Sequence, residues 1–271
     1  MTVGYRLSAI LVATGIAVCS CSGRSAAPST PTSTPQPEPV IPYANVWSAD
    51  SGVDLFSRGA ELVRATVEAG GLAAYVGADR SYPGYARAVA GLTAATENQA
   101  QPDPGVVQYV SSRPHDPNLR MHPSTGYFYI TAYSASDTRV SATVCSYAVR
   151  PEPLPNEDNR FVGGGFQVEL DNTGSNPGQP GIADRDPNAH DPRAHLPPQW
   201  DVFGTWKVTT IRVPVSRGDD QPECLPWYQQ QFPTFTKVPD YNYLQAPPGY
   251  QAPHHPVAPQ FPEWIGPTKT G

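Results

Sequence analysis

The chain predicts an α+β fold: N-terminal helices packed on a curved antiparallel sheet of about four to five strands, with a Pro-rich C-terminal tail. Three observations predict it. Apolar residues recur at helical spacing only between residues 51 and 92. A period of two takes over between 126 and 215. Beyond Cys224, prolines arrive too often for a helix or a central strand.

The first helix is expected over residues 51–76. Leu55, Phe56, Leu62, Val63 and Val67 share its apolar stripe, and Asp54, Arg58, Glu61, Arg64 and Glu68 flank them. Ser51 and Asp54 have the spacing of a capping box. Gly70-Gly71 is expected to break or kink it, with a short turn over 72–76. A second helix is expected over 82–92, with Pro83 in its first turn and Tyr85, Val89 and Leu92 on one face.

The β region opens with residues 106–112, rich in valine. Residues 126–134 alternate, with Phe128, Ile130 and Ala132 on one side and Tyr127, Tyr129, Thr131 and Tyr133 on the other. Ser136-Asp137 reads as a turn, and 140–149 as the return strand. Residues 161–170 form another strand, where Gly163-Gly164-Gly165 marks a bulge or a bend. Residues 203–215 close the sheet, with Trp206, Val208 and Thr210 opposite Lys207, Thr209 and Ile211. Between these last two strands lies a polar, turn-rich surface loop. After it the tail either lies over the domain or stays unfolded.

The N-terminus sets the compartment. Arg6 precedes an apolar run, residues 7–18, of about a dozen residues, too short for the ~20 that span a bilayer. Small residues follow, so residues 1–20 read as a secretory signal peptide. Val18-Cys19-Ser20-Cys21 resembles the lipobox of bacterial lipoproteins. The resemblance implies a lipidated Cys21 at the mature N-terminus. Cys19 fits less well, because Val18 would then stand before the cut. One acyl chain holds a protein to a membrane marginally, and a diacylglyceryl thioether supplies two. Residues 21–47, with the Ser/Thr/Pro run at 26–42, read as an extended tether. Residues 48–224 form the α+β domain and 225–271 the Pro/Tyr-rich segment.

Composition narrows the partners. The net charge is −6 and charged residues are 15% of the chain, so no basic stripe offers itself to nucleic acid. Thirty-three prolines in 271 residues are more than twice the usual ~5%. Removal of the leader takes Cys19 and lipidation occupies Cys21, which leaves Cys145 and Cys224 as the two remaining thiols of four cysteines. In an oxidising compartment they are expected to pair.

Candidate sites are few. Asp184, Asp186 and Asn188 begin like a calcium loop, but Ala189 stands where glycine is required and His195 where a bidentate Glu belongs. His190, His195, His254 and His255 lack zinc-site spacing. No metal and no cofactor is therefore expected, nor does a nucleophile motif occur. Tyr127, Tyr129 and Tyr133 either line a ligand cavity or form a sheet face under the tail.

From about Asp50 to Val215, "SATVCSYAV" and "WKVT" in a helices-then-strands order resemble secreted actinobacterial-type lipoproteins of the NTF2-like, cystatin-like cone fold. The resemblance implies a pocket between helices and sheet. An enzyme there needs a His or carboxylate aimed inward, and the strands offer Glu169 and Asp171. The expected function is thus a non-enzymatic binding or accessory module on the extracytoplasmic face of the cell membrane. Its expected partners are the membrane and a cell-envelope protein or small ligand. A cone-fold enzyme is the alternative, and a tail that recruits an envelope partner is a third.

Overall fold

A computed structural model describes residues 41–114, 116, 118–153, 160–212 and 221–267. The leader, Cys21 and most of the expected tether lie outside them.

The chain enters as strand β1, Tyr43–Ala49, where a tether was expected. Helix α1 is Arg58–Val76, capped by Ser57, whose hydroxyl accepts from Ala60 N. The expected cap at Ser51 lies six residues earlier. Gly70-Gly71 does not interrupt α1. Helices α2, Tyr85–Glu97, and α3, Pro104–Val110, complete the helical layer. Helix α3 replaces the strand expected over 106–112. Its start is fixed by the Asp103 carboxylate, which accepts from Gly105 N, and by Pro104 in the first turn.

The expected hairpin forms as β2, Ser124–Ala135, and β3, Arg139–Val149. The strand expected at 161–170 is two strands in two sheets: β4, Phe161–Val162, and β5, Phe166–Asn172. Strand β6 is Trp206–Arg212. Helix α4, Leu225–Gln231, then leads into β7, Thr236–Lys237, and β8, Leu244–Gln245.

The main sheet runs β1-β2-β3-β5-β6, and a small second sheet runs β4-β8-β7. Strand β1 is parallel to β2, while the other main-sheet pairs are antiparallel. The main sheet is therefore mixed and open, with β1 and β6 at its ends. This corrects the curved antiparallel sheet of the cone fold. A parallel first strand needs a long crossover, and here α1, α2 and α3 all lie between β1 and β2.

Each face of the main sheet carries its own core. Trp47, Ile130, Val144, Val168 and Leu170 pack with α1, α2 and α3 on one face. Cys145, Trp227, Tyr228, Phe235 and Leu244 pack on the other, with Tyr127, Tyr129 and Tyr147 beside them.

Two bulges reverse the inside–outside phase that simple alternation predicts. The β2–β3 register shifts between Thr131 and Ser134, where Ala132 has φ +47°. Beyond it Tyr133 faces the helices. The β5–β6 register shifts at Glu169/Leu170, which puts Ile211 in the helix-side core with Trp206 and Val208.

The tail follows a defined path over residues 225–267. It covers the α4 face first and then reaches the edge of β1, where Trp47 N donates to Phe261 O (2.8 Å) and Phe261 N to Asn45 O (3.0 Å). It ends in the helix-side core with Trp264. Ile265 bridges Ile182 and Ala194 of the long loop, which is thereby fastened down.

Candidate functional site

The three tyrosines singled out from the sequence do not form one stripe. Tyr127 stacks on Tyr147 with ring centroids 5.0 Å apart, and Tyr129 on Trp227 at 5.3 Å. Both belong to the α4 face. Tyr133 lies across the sheet, its hydroxyl 3.2 Å from Ser57 Oγ. The Tyr129 hydroxyl donates to Asp50 Oδ1. Its pKa is pushed up to about 12, by burial first and by the Asp50 carboxylate second. Tyr147 is likewise held near 12 by burial and by Tyr127. Stacked on Tyr147 and Trp227, Tyr127 and Tyr129 form an aromatic wall beside α4.

Cys145 and Cys224 form a disulfide with a sequence separation of 79. It ties the start of α4 to the middle of β3. Tyr228, one turn into α4, sets its hydroxyl against β3. That hydroxyl accepts from Ser146 N (3.1 Å), and Ser146 O (3.0 Å) and Gly164 O lie within its donating reach. A side chain thus replaces a rung of backbone ladder where β3 and β5 part.

The parting opens a groove of about 200 Å³. Tyr147, Phe232, Phe235 and Tyr250 form its aromatic wall, Phe161 and Val162 another side, and residues 146–149 of β3 with Arg150 its floor. The aromatic wall is braced internally: Phe232 lies 5.0 Å from Phe235, and Phe235 lies 4.8 Å from Tyr250. Apolar walls with main-chain polar groups along one side suit a small ligand or a chain segment. Of the lining residues, sequence reading had singled out His254, as one of four histidines without zinc-site spacing, and Gly163, as part of a bulge or bend. The lining comes from segments more than a hundred residues apart, and no local pattern marks it.

A second polar centre is buried. Trp47 Nε1 donates to Glu68 Oε1 (2.7 Å), while the Tyr82 hydroxyl (2.7 Å) and Trp264 Nε1 (3.0 Å) donate to Oε2. Arg64 lies over the Trp264 ring at 4.7 Å. Its Nε and Nη1 are buried and have no hydrogen-bond partner among the described residues. Burial lowers its pKa, against the pull of Glu68 and Glu61. Glu61 accepts from Gly181 N (2.6 Å) and pairs with Arg58. None of these residues lines the groove beside β3, and their contacts are those of a structural clasp.

The acidic loop and its histidines serve the tail. Asp184 accepts from Glu263 N (2.7 Å), and Asp186 from Asn188 N (3.0 Å). His190 Nδ1 pairs with Glu263 Oε1, and His195 N donates to Trp264 O (2.9 Å). His254 lies at the groove, and His255 N donates to Arg150 O (3.3 Å).

No protein-family model, curated protein or solved structure matches the chain.

Proposed function

We propose that the chain is an extracytoplasmic binding module, held on a membrane through a lipid on Cys21, with the groove beside β3 as its binding site. The observation that carries the binding reading is the groove, an aromatic-walled opening whose floor is an unfinished strand edge. The Cys145–Cys224 bridge supports the compartment, because such bonds persist where thiols are kept oxidised. Among the described residues no helix is long and apolar enough to cross a membrane, so the anchor rests on the lipobox resemblance at Cys21. Partners are a cell-envelope protein or a small ligand.

Mass spectrometry of the protein purified from its host tests the anchor. The expected result is an N-terminal Cys21 carrying a diacylglyceryl mass, with Cys21→Ser released from membranes. A Cys21→Ser chain that is processed and retained as before overturns it. The groove is tested separately below.

A further inference from the structure

We propose that the groove receives an extended segment of another polypeptide, which adds to the open edge of β3 at Ala148. This rests on the binding-module reading and names its ligand class.

The argument is one of parity. In an antiparallel pair, successive residues alternate between exchanging hydrogen bonds with the partner and pointing them away. The β2–β3 register is unbroken from Thr125↔Val149 to Thr131↔Thr143. Ser146 turns its N–H and C=O away from β2, toward the Tyr228 hydroxyl. Arg150 turns its C=O the same way, toward His255 N. Ala148 lies between them in phase. Its N–H and C=O therefore leave β3 on the side away from β2, into the groove. Strand β5 does not meet them, since its pairing with β3 ends at Val144↔Phe166. No described residue bonds to the Ala148 main chain, and Ala148 is exposed.

The opening is built by the chain. Gly164 has φ +119°, and a Cβ at Gly165 would lie 3.0 Å from Val144 O. Glycines at these positions let the chain swing from β5 off the β3 edge into β4, which becomes the far wall. Tyr228 and His255 cap the edge on either side of Ala148. One rung, about 6.8 Å of strand, is left free. A lone N–H and C=O between apolar walls match one extended peptide unit, the chemistry of strand addition. The occupant is an apolar segment whose pairing residue is not proline, with a neighbouring side chain against Phe232, Phe235 and Tyr250.

The test uses the mature chain bearing Cys21→Ser, and acetylated, amidated tripeptides with Val, Leu, Phe, Tyr or Trp at the centre. In the free protein the Ala148 amide is expected to exchange with solvent much faster than those of Tyr147 and Val149. A bound tripeptide is expected to slow it. N-methylation of the central residue, or Ala148→Pro, is expected to weaken binding up to about tenfold, the worth of one hydrogen bond. Proline at 148 removes no ladder bond. Tyr250→Ala, which leaves the edge intact, is expected to weaken the same tripeptide. An Ala148 amide already protected overturns the proposal, as does failure of every tripeptide to bind. Binding indifferent to N-methylation and to Ala148→Pro overturns strand addition while leaving the groove a binding site. Self-association lost in Ala148→Pro transfers the edge to a second copy and also overturns it.

Discussion

Glu68 gathers four donors onto two oxygens: Trp47, Tyr82, Trp264 and, at 3.4 Å, Gln260. An ionised carboxylate only accepts, so each of these donors is satisfied. Glu68→Gln sets an amide N–H₂ against one of them and removes the negative charge nearest in effect to Arg64. The expected loss is on the order of 3 kcal/mol, read as a lower urea midpoint at unchanged slope. His190 makes a second prediction. Its hydrogen bond to Glu263, and then the charge of that carboxylate, raise its pKa above 6.5, and Asp191 adds to the rise. A raised folded-state value means that the contact contributes below about pH 6.5 and is lost as pH rises through the folded-state pKa. Imidazole titration by NMR is expected to show a midpoint above 6.5, returning toward the ordinary value in Glu263→Gln. Neither role was legible in sequence. Glu61, Arg64 and Glu68 read as the solvated flank of an amphipathic helix, whereas all three are buried. The elements that bury them, the long loop and the tail, lack periodicity.

At the scale of the element, α1 shows why two adjacent glycines are not equivalent. A Cβ on Gly70 would fall 2.2 Å from Tyr109 Cδ1 and 2.9 Å from the Tyr85 hydroxyl. A Cβ on Gly71 meets nothing within 4 Å. Helix propensity alone favours alanine at both, by about 1 kcal/mol. Gly71→Ala is therefore expected to raise stability by up to about 1 kcal/mol, and Gly70→Ala to lower it as the two tyrosines are displaced. Thermal unfolding of the two variants checks this, and equal shifts of the same sign would refute it. The main helix and the β2–β3 hairpin were legible because their periods are long and clean. Helix α3 was misread because Val106, Val107 and Val110 carry a β-like composition, although Asp103-Pro104 spelled out a helix start. Strand β1 was hidden by the prolines before it. Bulges leave little trace in an alternating pattern, so Tyr133 and Ile211 were assigned to the wrong faces.

At the scale of the whole molecule, the tail is a structural element held at both ends. Its first end is the disulfide and its last is Trp264 in the helix-side core. Closing a loop of about 80 residues restricts the unfolded chain by roughly 4 kcal/mol on the entropy account. Cys224→Ser is expected to lower stability by up to that amount, measured by urea unfolding with and without reductant. The reductant is expected to shift the parent and leave the variant unmoved. The pairing itself was legible from the expected compartment and the count of cysteines. The order of the tail was not, because proline-rich sequence lacks a period even when other elements hold it in place.

The clasp of Asn45 and Trp47 by residues 260 and 261 joins positions 216 residues apart at its widest, Asn45 and Phe261. During synthesis β1 emerges early, and its outer edge waits for residues 260 and 261 to arrive. Contacts of such sequence separation form slowly. Until residues 260 and 261 arrive, that edge is a bare strand, and the growing chain carries it unguarded.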